Sequence, residues 1–264
     1  MSYLSDTLFT GKITNEWELV GMALTNRTQR DIGFVFVHGA GLNGRIWERV
    51  ADGLDYPCLF AEFPGRVGEE EMRRELTLKQ YADTVVRQVK EWGVGRIVFV
   101  AHSLGGQVAL QAAEELRDRL AGFVAVGAAI PKPGGSFLSA LPWPKRTILS
   151  LMMKKMGTKP PESVIRAGLC KDLDPEDADS VVKGFVPESI RVYADRFDGS
   201  LPDVPRLYIR LEKDKEFGSS LQARMIRNFA PQRVRTLETG HLPMLGDPAG
   251  LRKLLLEFTS SVTS

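Results

Sequence analysis

Short, continuous apolar runs alternate with amphipathic segments along most of this chain. The apolar runs are rich in β-branched and aromatic residues and lack polar alternation, which is typical of parallel strands buried on both faces. Runs of this kind cover residues 32–37, 97–100 and 123–129, and further strands are predicted at 58–63, 204–211 and 233–238. Segments with helical spacing cover residues 44–54, 76–92, 106–119, 218–229 and 248–261. The alternation predicts an α/β fold with a mostly parallel sheet and helices on both faces.

Two further strands, at 8–13 and 17–25, are predicted to form a hairpin ahead of these. With them, the predicted sheet has eight strands. The clearest helix boundaries belong to the segment at 76–92. Thr77 is a suitable N-cap for this helix, and Gly93 is a suitable residue to end it.

The alternation stops between residues 131 and 199. Prolines and glycines open this stretch, and helical patterns follow at 137–156, 161–170, 175–184 and 187–197. We interpret 131–199 as a helical cap inserted into an α/β core formed by 1–130 and 200–264. The methionine and aromatic content of the cap is typical of core packing, although such surfaces also adapt to apolar ligands. An insertion at the carboxyl edge of the sheet is expected to cover a site at that edge.

The composition is that of an ordinary globular protein, with 264 residues, 43% of them hydrophobic, and a formal net charge of +2. With so small a net charge, we expect neither a nucleic-acid partner nor a membrane partner. No apolar run approaches the roughly 18 residues that span a bilayer, and no signal peptide is visible at the N-terminus. Cys58 and Cys170 are expected to be free thiols, so the predicted location is the cytoplasm.

Ser103 lies where the strand at 97–100 turns sharply into the helix at 106–119. Small residues two positions before and after it, Ala101 and Gly105, let the strand and the helix approach closely. The motif is G-x-S-x-G with alanine in place of the first glycine. Free N–H groups at the helix N-terminus suit a nucleophile that must hold a developing oxyanion. The alternative interpretation is a serine that only caps the helix.

Only three histidines are available as a general base. His102 is adjacent to Ser103, and neighbouring side chains at such a turn point apart. His38 ends a strand and is interpreted as a structural residue that shapes the next turn. His241 lies in a short loop after the last strand, from which it can project into the site. We therefore predict that His241 is the base.

The acid that orients this histidine should follow a strand. No carboxylate follows the strand at 123–129 before Glu162, which removes that position. Asp214 comes just after the strand at 204–211 and is the predicted acid. Its rivals are Glu212, which could still lie in the strand, and Asp247, which is close to the histidine in sequence.

The glycine-rich stretch after the first predicted buried strand is expected to supply an oxyanion donor. We predict the backbone N–H of Ala40 as one donor and that of Leu104 as the other. A phosphate-binding loop is the alternative function of such a stretch. However, no Walker lysine follows this stretch, which argues against a nucleotide.

The residue order Ser103, Asp214, His241 differs from the orders of the chymotrypsin and subtilisin classes. It is accompanied by several further motifs, namely His38-Gly39-Ala40-Gly41 with Trp47 downstream, the loop 63–68, Glu212-Lys213-Asp214, and Gly240-His241-Leu242-Pro243. With these motifs the chain resembles the α/β-hydrolases over almost its whole length. The helical insertion and the first motif resemble the branch of plant methylesterases and hydroxynitrile lyases and its bacterial esterase relatives.

The resemblance implies hydrolysis of a carboxylic ester or lactone through an acyl-serine intermediate, without cofactor or metal. Lyases of this branch typically have a lysine after the base histidine and a threonine near the oxyanion loop. Leu242 and Gly39 stand at those places here, which favours a hydrolase. A lyase, a C–C bond hydrolase, a cofactor-free dioxygenase and a ligand receptor that uses the same pocket remain as alternatives.

The apolar character of the cap predicts a small hydrophobic ester as substrate. Four basic residues flank its apolar positions: Lys145, Arg146, Lys154 and Lys155. We interpret them as the solvated face of amphipathic helices, and contact with an anionic group of the substrate is the alternative.

Overall fold

A computed structural model describes residues 31–66 and 70–262. The strands are β1 (Ile32–Val37), β2 (Cys58–Ala61), β3 (Arg96–His102), β4 (Leu120–Val126), β5 (Arg206–Leu211) and β6 (Arg233–Leu237). They form one parallel sheet in the order β2-β1-β3-β4-β5-β6. The six strands predicted after residue 30 are therefore confirmed. The structure describes six strands where eight were predicted, and the predicted hairpin at 8–25 lies outside the described residues.

Each connection between consecutive strands contains at least one helix, and two more helices follow β6. Those of the core are α1 (Glu48–Ala51), α2 (Glu70–Arg74), α3 (Leu78–Trp92), α4 (Gly105–Ala113), α10 (Ser219–Phe229), α11 (Pro243–Gly246) and α12 (Pro248–Ser260). Between β4 and β5 lie α5 (Phe137–Ala140), α6 (Trp143–Met156), α7 (Glu162–Gly168), α8 (Pro175–Gly184) and α9 (Ile190–Ala194). Short 3-10 turns precede α1 at Gly44–Trp47 and β4 at Arg117–Arg119.

The predicted boundaries of α3 are confirmed. The Thr77 hydroxyl accepts a hydrogen bond from the N–H of Gln80 at 3.1 Å, and the Gln80 side chain accepts one from the N–H of Thr77 at 2.9 Å. This reciprocal pair satisfies N–H groups that the first turn leaves free. Gly93 ends the helix with a φ of +76°, a backbone conformation that favours glycine.

Burial on both faces explains why β1, β3 and β4 read as continuous apolar runs. In β1 every residue is buried, and its side chains alternate between two core clusters. Val35 and Val37 pack on the side of α3 and α4, whereas Phe34 and Phe36 pack on the side of α12. The sheet therefore forms a rigid scaffold, and functional residues can be placed at the carboxyl ends of its strands.

The helices between β4 and β5 differ in how deeply they pack. Phe137 and Leu138 of α5 are buried in the core, as the apolar content of this stretch predicts. In α6, by contrast, the only buried residue is Met153. The interpretation of the apolar residues of 143–156 as core is therefore wrong for most of α6, because this helix packs through one narrow edge. Within the described ranges, no helix combines the length and the apolar character needed to cross a bilayer.

Candidate active site

Ser103 occupies a strained turn between β3 and α4. Its φ is +50°, in the left-handed region that non-glycine residues seldom adopt. Backbone hydrogen bonds hold the turn. The carbonyl of Ser103 accepts from the N–H of Gly106 at 3.1 Å and from that of Ala129 at 2.9 Å. The strained backbone therefore fixes the hydroxyl at the carboxyl edge of the sheet.

Small residues are required around Ser103 because neighbouring backbone segments approach this turn closely. A Cβ at Gly105 would lie 2.6 Å from the carbonyl oxygen of Val37, and one at Gly106 would lie 2.7 Å from that of Ala129. Ala101, which replaces the first glycine of the motif, is fully buried in β3 beside Val37 and Ala125. The core thus accommodates the extra methyl group at this position.

The structure brings Ser103, His241 and Asp214 into one hydrogen-bonded chain. The Nε2 atom of His241 lies 3.1 Å from Ser103 Oγ, and its Nδ1 atom lies 2.9 Å from Asp214 Oδ2. All three residues are buried, with His241 in the loop between β6 and α11. An ionised carboxylate only accepts hydrogen bonds, so Nδ1 carries the ring proton and Nε2 is free to accept the hydroxyl proton.

Asp214 is held in place by backbone donors as well as by the histidine. Its Oδ1 atom accepts from the N–H of Glu216 at 2.8 Å and from that of Phe217 at 2.9 Å. Burial raises the pKa of Asp214, but the electrostatic interaction with the His241 ring and the hydrogen bonds to the carboxylate outweigh it and hold the pKa below its usual range. The carboxylate is thus ionised at neutral pH and fixes the tautomer of the imidazole.

The rival acids lie elsewhere. Glu212 is exposed and hydrogen bonds to Arg210 at 3.4 Å. Asp247 caps α12, where its Oδ1 atom accepts from the N–H of Gly250 at 2.8 Å. The structure therefore places only Asp214, of the three candidates, against His241.

The other two histidines are buried beside the site. His102 Nε2 donates to the carbonyl of His241 at 2.7 Å, and so it supports the backbone of that loop. Burial lowers the pKa of His102 to about 3, so the ring is neutral. His38 Nδ1 donates to the carbonyl of Gly39 at 2.8 Å, and burial lowers its pKa well below the usual value. The interpretation of His38 as a residue that shapes the next turn agrees with this contact.

The predicted oxyanion donors flank Ser103. Ala40 lines the same cavity as the serine, and Leu104 is the N-cap residue of α4. Within the described ranges, the N–H of neither residue has a protein acceptor. Both groups are therefore available to a ligand oxygen.

A buried carboxylate that the sequence does not predict lies behind the glycine-rich loop. Glu188, between α8 and α9, accepts from the N–H of Gly41 at 3.1 Å and from the Arg66 guanidinium at 2.6 Å. Its second oxygen accepts from the Tyr81 hydroxyl at 2.9 Å. Gly41 has a φ of +77°, and its carbonyl accepts from the N–H of Val186 at 3.0 Å. The segment between α8 and α9 thus anchors the loop that carries Ala40.

A second carboxylate anchors the histidine loop. Asp172, between α7 and α8, accepts a hydrogen bond from the N–H of Gly240, the residue before His241. A side chain at position 240 would collide with this carboxylate. Neither Asp172 nor Glu188 is predictable from the sequence, because each acts on backbone far away in the chain and has no local motif.

A cavity of about 730 Å³ lies above Ser103. Ser103, His241 and Ala40 are at its base. Most of its walls come from apolar side chains of the helices between β4 and β5: Phe137, Leu149, Met152, Met153, Met156, Val164, Ile165, Leu169, Phe185 and Tyr193. Among the described residues, its charged lining residues are Lys159, Glu162 and Glu216. Lys145, Arg146, Lys154 and Lys155 do not line it.

Comparisons with known proteins agree with this architecture. The chain matches the model of the alpha/beta hydrolase family over residues 34–254. It is 24% identical over 249 residues to pFDCC methylesterase MES16 of Arabidopsis thaliana, covering 87% of this chain and 95% of that protein. Methylesterase 17 of the same plant is 23% identical over 256 residues, covering 88% and 92% respectively.

Solved structures show the same fold. An extracellular alpha/beta-hydrolase from a Paenibacillus species is similar with a TM-score of 0.77 at 18% identity, covering 86% of this chain and 98% of that one. The crystal structure of MES16 is similar with a TM-score of 0.70 at 22% identity, covering 87% and 99%. The match to the family model spans most of the chain, which therefore belongs to the alpha/beta hydrolase family.

Proposed function

We propose that this protein hydrolyses carboxylic esters through an acyl intermediate on Ser103. The observation that carries the proposal is the hydrogen-bonded chain from Ser103 through His241 to Asp214 at the base of an apolar cavity. The methylesterases among its relatives add support for ester hydrolysis as the reaction class. A nucleophile, a base and an orienting acid in this geometry are the parts that acyl transfer requires.

In the first half-reaction, Ser103 Oγ attacks the ester carbonyl carbon while His241 Nε2 takes the hydroxyl proton. The carbonyl oxygen becomes an oxyanion, and the N–H groups of Ala40 and Leu104 donate to it. The imidazolium then gives its proton to the alkoxide oxygen as the C–O bond breaks. The alcohol leaves, and the acyl group stays on the serine.

In the second half-reaction, a water molecule replaces the alcohol. His241 takes a proton from the water as its oxygen attacks the acyl carbon, and the same two N–H groups hold the new oxyanion. Collapse of this intermediate breaks the bond to Ser103 Oγ, which recovers its proton from the imidazolium. The carboxylic acid leaves, and Asp214 holds the imidazole orientation throughout.

The cavity favours a neutral, hydrophobic ester. Its walls are mostly apolar, and the charged residues that line it within the described ranges are one lysine and two glutamates, Lys159, Glu162 and Glu216. This balance gives no preference for an anionic substrate. The four basic residues of α6 lie outside the cavity, so we do not assign them to a substrate anion.

The proposal predicts that Ser103→Ala lowers turnover of a short-chain p-nitrophenyl ester by at least about 10³-fold, because the nucleophile is lost. Ser220→Ala is a matched control, since Ser220 is exposed in α10 and does not line the cavity. It is expected to keep full activity. A folded Ser103→Ala variant with the turnover of the unaltered protein would contradict the assignment.

A further inference from the structure

The helix α6 exposes apolar side chains that a folded protein ordinarily buries. Among the described residues, most of the exposed large apolar side chains fall in or just after this helix: Trp143, Ile148, Leu151, Met152, Met156 and Val164. We call these six side chains the cap patch. Trp143 is 71% exposed and Met156 is 63% exposed. Such a concentration of exposed apolar side chains in one short stretch is typical of a contact with a partner or a membrane.

The charge on α6 has one sign. Between residues 143 and 156 there are four basic residues, Lys145, Arg146, Lys154 and Lys155, and no acidic one. Lys154 and Lys155 are exposed beside the apolar side chains. The nearest acidic residue that follows, Glu162, is paired with Arg166 at 2.8 Å. The cap patch is therefore an apolar surface interspersed with cations.

The combination of apolar and cationic side chains distinguishes between two possible partners of the cap patch, a second copy of the chain and a lipid surface. A second copy of the chain in a symmetric contact through α6 would bring the cations of one helix close to the cations of the other, which repel. An anionic lipid surface offers acyl chains to the apolar residues and negative headgroups to the lysines. We propose that the cap patch docks this protein on anionic lipid surfaces.

The position of the cavity supports docking on a lipid surface. Met152, Met156 and Val164 belong to the cap patch and also line the cavity above Ser103. A protein docked through these residues holds the cavity entrance against the lipid. If the proposed esterase function holds, a hydrophobic ester dissolved in the lipid reaches the serine without crossing bulk water. The docking itself does not depend on that function.

The proposal departs from the expectation drawn from net charge. A net charge of +2 for the whole chain does not reveal four cations on one helix of 14 residues. Because the Debye length at physiological salt is only about 8 Å, a lipid surface responds to these local charges rather than to the total.

The test is co-sedimentation of the full chain with phosphatidylcholine vesicles, with and without phosphatidylserine. We expect binding to the vesicles that contain phosphatidylserine, weaker binding to those without it, and a loss of binding at high salt. The measurement needs no substrate, so an absence of esterase activity would leave its outcome unaffected.

Two variants separate the two contributions. Lys154→Glu with Lys155→Glu reverses the charge, and Ile148→Ser with Leu151→Ser removes exposed apolar groups. Each is expected to weaken binding to the anionic vesicles at least about tenfold. Val234→Ser is the matched control, because Val234 is 40% exposed on β6, outside the cap patch. It is expected to bind like the unaltered chain.

Three results would overturn the proposal. One is no binding to either vesicle by a folded chain. A second is unchanged binding by both double variants. The third is a concentration-dependent dimer in light scattering that Ile148→Ser with Leu151→Ser dissociates, since the cap patch would then be covered by a second copy.

Discussion

Asp214 holds the imidazole of His241 because the chain keeps pairing for two residues beyond β5. The N–H of Glu212 donates to the carbonyl of Leu237 at 3.0 Å, and that of Lys213 donates to Thr239 at 2.9 Å. Asp214 is the first residue after this pairing, and it turns inward to the level of the histidine loop. Glu212 still lies in the paired stretch, with its side chain exposed.

At this residue scale we predict that Asp214→Asn lowers kcat for a p-nitrophenyl ester by about 10³-fold or more. The amide can donate to Nδ1, which stabilises the wrong tautomer and leaves Nε2 protonated. Glu212→Gln is the matched control and is expected to keep the activity of the unaltered chain. Steady-state kinetics on both variants check this, and a large loss in Glu212→Gln alone would show that the acid is misassigned.

At the scale of elements, the helices between β4 and β5 tether the site as well as cover it. Glu188 accepts from the N–H of Gly41, next to Ala40, and Asp172 accepts from the N–H of Gly240, next to His241. Arg66 neutralises the buried Glu188 carboxylate. Each of these loops therefore depends on a carboxylate that lies beyond β4 in the chain, and movement of this helical segment would disturb both.

For the histidine loop, we predict that Asp172→Ala lowers kcat by about tenfold with little change in KM. A charge-assisted hydrogen bond to backbone is worth about 1.5–3 kcal/mol, and its loss lets the imidazole drift from the serine. The neighbouring exposed residue provides a control, Lys171→Ala, which is expected to have no effect. Equal kcat values for the two variants would mean that the loop does not need this anchor.

At the scale of the whole molecule, two buried neutral histidines tie stability to pH. Burial lowers the pKa of His102 to about 3 and that of His38 well below its usual value. The unfolded chain, in which both have a pKa of about 6.5, therefore binds more protons below that pH. The free energy of unfolding is expected to fall as pH decreases from 6.5, by roughly one kcal/mol per pH unit for each histidine.

Urea unfolding at pH 7 and pH 5 measures this dependence. The His38→Asn variant lacks one of the two groups and is expected to show about half the slope. A free energy of unfolding that stays constant or rises between pH 7 and pH 5 would indicate that these histidines are protonated in the folded chain.

The sheet and its helices were predictable because their signals are local. Buried parallel strands such as β1 need continuous apolar residues, and α3 needs the caps Thr77 and Gly93. Ser103, His241 and Asp214 were predictable as candidates because strand ends in a parallel sheet converge at one edge. The alternation of strands and helices located the strand ends. The need for a nucleophile, a base and an acid then limited which residues there could be candidates.

What could not be predicted depends on contacts between distant parts of the chain. Glu188 and Gly41 are 147 residues apart, and Asp172 and Gly240 are 68 apart, so no spacing in the sequence marks them. The exposure of the apolar side chains of α6 could not be predicted from the sequence either. Its apolar residues are typical of core, and only the packing of the neighbouring helices determines that Met153 alone is buried.

The central claim is that Ser103 is a nucleophile activated by His241. It is tested most directly by treating the folded chain with a fluorophosphonate probe and locating the adduct by peptide mass spectrometry. We predict a covalent adduct on Ser103 Oγ, with labelling slowed by about 10³-fold or more in His241→Ala, because the base is lost. The absence of an adduct on Ser103 in the folded chain, or equal labelling of His241→Ala, would contradict the claim.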